Sequence, residues 1–86
     1  MYLHLGQNVV VPEASVIGVF DLDNTTGSHI TRKFLGNAEK AGRIISVSDE
    51  LPKSFVVCGE ENEMTIYLSQ LSSLTLLKRS ETMRFE

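Results

Sequence analysis

The sequence holds one cysteine, Cys58, two prolines, two histidines and no tryptophan in 86 residues. A lone cysteine forms no intramolecular disulfide and no thiolate cluster for zinc, so two of the staples that hold small domains together are missing. That usage suits a reducing compartment. No apolar run approaches the roughly 18 residues of a membrane helix, and Met1-Tyr2-Leu3-His4-Leu5 carries neither a basic n-region nor a long apolar h-region. A cytoplasmic protein without a membrane anchor is expected. Positive charge is not in excess either: 8 Lys and Arg stand against 11 Asp and Glu, a formal net charge of -3. The overall field therefore does not favour nucleic acid, and any such binding must rest on where the cations lie.

What is present is an ordinary globular composition, 42% hydrophobic and 22% charged, which is enough to fold. A chain of this length builds one core, so a single domain is expected over residues 1–79 with a polar tail over 80–86. Such a small domain buries only about 60% of the surface its unfolded chain exposes. Self-association into a homo-oligomer would cover more, and is expected on that ground. Charge is unevenly placed: Arg32, Lys33, Lys40 and Arg43 face the single acid Glu39 in one stretch, while Glu60, Glu61 and Glu63 crowd another.

Apolar and β-branched runs at Tyr2-Leu3-His4-Leu5, Val9-Val10-Val11 and Val16-Ile17-Gly18-Val19-Phe20, broken at Gly6 and Pro12, predict short strands. The turn-forming stretch from Asp21 to Gly27, with Ser28 as N-cap, predicts a helix over about 28–41 that Gly42 ends. Ile30, Phe34, Ala38 and Ala41 recur at helical spacing and are assigned to the core; His29, Lys33, Asn37 and Lys40 form another stripe, assigned to solvent. Gly36 inside the helix is read as a point of close packing. A strand at Arg43-Ile44-Ile45-Ser46-Val47 follows, then a loop, then a hairpin of Phe55 to Gly59 and Met64 to Leu71. In its second strand Met64, Ile66 and Leu68 alternate with Thr65, Tyr67 and Ser69. Ser72-Ser73 then caps a short helix from Leu74 to Lys78 or slightly beyond. The fold class is α+β: a mainly antiparallel sheet of short strands, one principal helix and a short C-terminal helix.

No catalytic constellation is assembled. Neither His4 nor His29 has a nucleophile motif around it, and Cys58 lies in the apolar run Phe55-Val56-Val57-Cys58, where a free cysteine behaves as a small buried hydrophobe. Asp21, Asp23 and Asn24 begin like a calcium loop, but Gly27 is out of place and no closing glutamate follows. Neither an enzyme nor a cofactor is expected. The basic residues Arg32, Lys33, Lys40, Arg43 and Lys53 carry the functional reading. They either solvate an outer face or contact the phosphates of double-stranded DNA, and an oligomer would multiply such contacts without new motifs.

Five segments together resemble the extracellular matrix regulatory protein family of Gram-positive bacteria: Tyr2-Leu3-His4-Leu5-Gly6, Val16-Ile17-Gly18-Val19-Phe20-Asp21, Ile30-Thr31-Arg32-Lys33-Phe34-Leu35, Ala41-Gly42-Arg43-Ile44-Ile45 and Lys53-Ser54-Phe55-Val56-Val57. The resemblance implies a cytoplasmic regulator linked to biofilm matrix genes, with a related branch of the family activating transcription on DNA as a ring. That branch carries paired arginines in the loop before the penultimate strand. Here the loop reads Leu51-Pro52-Lys53, so Lys53 is its one cation, and Glu13-Ala14-Ser15 stands where an arginine is found. Two function classes follow: an oligomeric DNA-binding regulator, or a protein-interaction module that partners a related regulator.

Overall fold

A computed structural model describes residues 2–22, 29–60 and 63–84. In chain order the elements are β1 (Tyr2–Gly6), β2 (Val9–Pro12), a 3-10 turn (Glu13–Ser15), β3 (Val16–Asp21), α1 (His29–Lys40), β4 (Ile44–Ser46), β5 (Ser54–Glu60), β6 (Glu63–Ser69) and α2 (Ser73–Arg84). The α+β class and every expected strand are present. The expected turn and Ser28 cap fall outside the described residues, and α1 runs from His29 to Lys40. The C-terminal helix passes Lys78 and reaches Arg84, into the stretch read as a tail. Ser72 opens it, its Oγ accepting the Thr75 N–H at 3.1 Å, a cap that satisfies one otherwise orphaned donor.

Two sheets form. β1 and β2 pair as an antiparallel hairpin whose turn holds Gly6 and Gln7 at positive φ, 120° and 48°. The main sheet has the order β3-β5-β6-β4. Its β3–β5 and β5–β6 pairs are antiparallel, whereas β4 runs parallel to β6, with Ile44 beside Ile66 and Ser46 beside Leu68. β3 and β4 therefore point the same way, and α1 carries the chain between them across the β5–β6 hairpin. The parallel β4–β6 pair is joined through β5, which lies on the far side of β6 from β4.

The alternation in β5 and β6 separates two apolar clusters. Phe55, Val57 and Ile66, with Met64 and Leu68 partly buried, turn to the α1 side and pack with Leu22, Ala38, Phe34, Leu35 and Ile44. Val56 and Cys58, with Tyr67, turn the other way and pack with Leu3, Leu5 and Val11 of the hairpin and Leu76 of α2. Because both faces are covered, β5 is buried without interruption from Ser54 to Cys58, the pattern expected of a central strand. Two fully buried serines lock the layers together. Ser69 Oγ donates to the Leu5 carbonyl at 2.7 Å and accepts the Leu71 N–H at 3.1 Å, while Ser54 Oγ donates to the Leu71 carbonyl at 2.8 Å.

Three expectations about α1 are corrected: besides Ile30 and Gly36, Ala41 is exposed, one residue beyond the end of the helix, and joins no core cluster. Ile30 is 79% exposed, and Leu35 joins Phe34 and Ala38 against the sheet instead. At about 100° per residue the true inward direction lies between positions 34 and 35, leaving Ile30 on the flank of the first turn. Gly36 marks no close packing, since nothing lies within 4 Å of where its Cβ would stand. It borders a hollow of about 460 Å³ that Leu22, Leu35, Ile44, Leu51, Pro52 and Leu68 also line.

Candidate nucleic-acid interface

Lys33 and Lys40 are seven residues apart on α1, so they return to within about 20° of one another around the helix and stand about 10 Å apart along it. His29, Lys33, Asn37 and Lys40 are all exposed, as their shared spacing requires. Arg32 is exposed too, but it points about 100° away from Lys33. It shares its flank with Glu39, also seven residues on, which offsets its charge.

The end of α1 positions Arg43. Gly42 takes φ 72°, its N–H donates to the Glu39 carbonyl at 3.0 Å, and the Arg43 N–H donates to the Ala38 carbonyl at 2.9 Å. This is the Schellman pair of bonds, and it needs a left-handed residue that glycine supplies without strain. The Arg43 carbonyl then accepts the Ile66 N–H at 2.9 Å, which delivers the chain to the edge of the sheet. There Arg43 shares the lining of a shallow hollow with Ile45, Glu63 and Thr65.

Lys53 sits at the opposite end of the sheet. Its N–H donates to the Ser69 carbonyl at 2.8 Å and its carbonyl accepts the Leu22 N–H at 3.0 Å, so its backbone is tied between β6 and the exit of β3. The side chain is exposed. The five cations are thus not a compact cluster. Lys33 and Lys40 make the stripe, Arg32 lies on its flank, and Arg43 and Lys53 mark the two ends of the sheet beneath the helix. Glu63 beside Arg43 was not legible in the sequence, because only the parallel β4–β6 pairing brings residues twenty positions apart together.

Such a surface offers positive charge and hydrogen-bond donors but no acid–base pair. Among the described residues no three His, Cys, Asp or Glu side chains lie together as a metal site, and no helix is long and apolar enough to cross a membrane. Burial pushes the Cys58 thiol above its ordinary value near 9.0, against a smaller opposing effect of a hydrogen bond with Ser15. A protonated thiol is a poor nucleophile.

The chain is 36% identical over 83 residues to Extracellular matrix regulatory protein B of Bacillus subtilis (strain 168), covering 96% of this chain and 94% of that protein. The chain belongs to the extracellular matrix regulatory protein family. No family model matches it. Because the likeness to the Bacillus subtilis member runs almost end to end, membership of the extracellular matrix regulatory family attaches to the whole two-sheet domain and not to a local motif.

Proposed function

We propose that this protein is a cytoplasmic regulator of extracellular matrix genes that acts as a homo-oligomer on double-stranded DNA. Arg32, Lys33, Lys40, Arg43 and Lys53 meet phosphates, with no catalytic step and no cofactor. The observation that carries the proposal is the exposed Lys33–Lys40 stripe on a helix whose other face packs on the sheet through Phe34, Leu35 and Ala38. The name of the Bacillus subtilis relative supports the regulatory role. Oligomerisation follows from two considerations. A domain of this size buries only about 60% of the surface its unfolded chain exposes, and exposed apolar side chains such as Ile17 and Ile30 remain for neighbouring copies to cover. Five cations, two of them offset by Glu39 and Glu63, also make a weak site that only repetition would strengthen.

The test is a titration of labelled duplex DNA across salt concentrations. Each neutralised phosphate contributes about -0.9 to the slope of log affinity against log salt. Lys33→Ala with Lys40→Ala lowers affinity for related and unrelated sequences alike, since phosphate contacts carry no sequence information directly. Binding that survives this double substitution unchanged removes the stripe from the interface. The net charge of -3 favours one other reading, a module that partners a related regulator, and an absence of DNA binding even at low salt would select it.

A further inference from the structure

Helix α1 carries a glycine that its own packing does not require. Glycine inside a helix lowers stability relative to alanine, yet at Gly36 a Cβ would meet nothing within 4 Å. The gap opens into the hollow of about 460 Å³ that half-buried Leu35, Ile44 and Leu68 line, a volume within the roughly 300–1,000 Å³ typical of binding clefts.

The loop before β5 adds Leu51 and Pro52 to the same lining. Leu51 is 87% exposed, although its loop is anchored on both sides. The Glu50 N–H donates to Ser48 Oγ at 3.1 Å, and the Lys53 N–H donates to the Ser69 carbonyl at 2.8 Å. Pro52 fixes its own φ as well. An apolar side chain held open on an anchored loop needs little further ordering when a partner covers it, which lowers the cost of binding.

Charge selects among occupants. Glu39 is the one charged residue that lines the hollow, and Asp49 and Glu50, both exposed, precede Leu51 on its loop. The cations nearby are Lys53 on that loop and Arg32, which stands seven residues before Glu39, about 10 Å along the helix, and does not line the hollow. Acids therefore exceed cations around an apolar recess, a surface that repels polyanions and favours apolar groups carried beside positive charge.

We infer that this hollow docks a segment of another protein that presents leucine-like side chains with lysine or arginine close to them. The apolar side chains enter beside Gly36 and cover Leu51, and the cation meets Glu39. The contacts run from the loop to α1 over apolar and charged groups together, the pattern of a groove that takes an amphipathic segment. The inference goes beyond the DNA reading and does not rest on it, because neither Lys33 nor Lys40 lines the hollow.

The probe is a fluorescein-labelled peptide of about twelve leucine, alanine and lysine residues with its leucines at helical spacing, titrated with the full chain and read by anisotropy. Two control peptides replace the leucines by serine or the lysines by glutamate, and each is expected to bind at least tenfold more weakly. Gly36→Met sets a flexible apolar side chain at the gap and keeps a good helix former there, so circular dichroism is unchanged while peptide affinity falls about tenfold or more. Leu51→Ser is expected to do the same, as truncation of a central apolar contact does. Glu39→Lys is expected to weaken the peptide and to strengthen duplex DNA, opposite directions that separate the two readings. No binding of the parent peptide, equal binding of either control, or unchanged affinity in Gly36→Met overturns the inference. So does a lower sedimentation mass in Gly36→Met, which would give the hollow to contacts between copies. Peptide discrimination without any DNA binding at low salt leaves this inference standing and removes the DNA reading.

Discussion

Ser69 joins β6 to β1 through one hydroxyl that donates to the Leu5 carbonyl and accepts the Leu71 N–H. Ser69→Ala leaves the buried Leu5 carbonyl and the part-buried Leu71 N–H without that partner, and buried groups cost about 1–3 kcal/mol each when unsatisfied. A loss of about 2–3 kcal/mol in urea denaturation is expected; a midpoint shift under 0.5 kcal/mol would mean that water replaces the hydroxyl. Cys58 yields a pH effect of definite sign. Its thiol is raised above 9.0 by burial, so the contribution is fully present below that pH. Above it the unfolded chain releases a proton that the fold retains, and stability falls as pH rises toward the folded value. Wild type should therefore lose more stability than Cys58→Ala between pH 8 and pH 10, read as the difference between their urea midpoints.

At the scale of the element, α1 is an amphipathic helix whose inward stripe is narrower than its apolar residues suggest. Phe34 is half-buried, so Phe34→Ala is expected to cost about 2 kcal/mol, below the 3–5 kcal/mol typical of a fully buried ring. Ile30→Ala, at an exposed position, should change stability by less than about 0.5 kcal/mol. Gly36→Ala belongs to the same thermal-melt series. Nothing stands where the new Cβ would go, so removing a helix-interior glycine should raise stability by about 1 kcal/mol. Equal losses at positions 30 and 34 would restore the face that Ile30, Phe34, Ala38 and Ala41 define, and a destabilising Gly36→Ala would show that the hollow beside it is filled.

The whole molecule is a thin two-sheet domain, with principal extents of 38 × 28 × 22 Å, whose oligomeric form should decide how stable it is. If copies associate, stability must depend on protein concentration, because association draws the folded state forward by mass action. The melting temperature should rise between micromolar and hundred-micromolar protein. A concentration-independent melt would separate folding from assembly. Repetition of α1 in such an assembly would hold several basic helices for a single duplex. In that arrangement sequence preference would come from DNA shape and site spacing, since no arginine pair is available to read base edges.

Local order in the chain decided much of this protein. The alternation through Met64-Thr65-Ile66-Tyr67 assigned residues of β6 to the two faces of the sheet, and the assignment holds. Gly42 ended α1 through its own backbone freedom, and the four-residue spacing of His29, Lys33 and Asn37, continued at Lys40, placed the stripe outside. These outcomes depend on neighbours a few residues apart, which a sequence displays directly. Tertiary structure alone decided the parallel placement of β4, the nearness of Arg43 to Glu63, the exclusion of Ile30 from the core and the open space at Gly36. Each depends on where a distant strand or loop comes to rest against α1. The periodicity of one helix records that it has an apolar face, but the elements packed against it determine how far around the helix that face is covered.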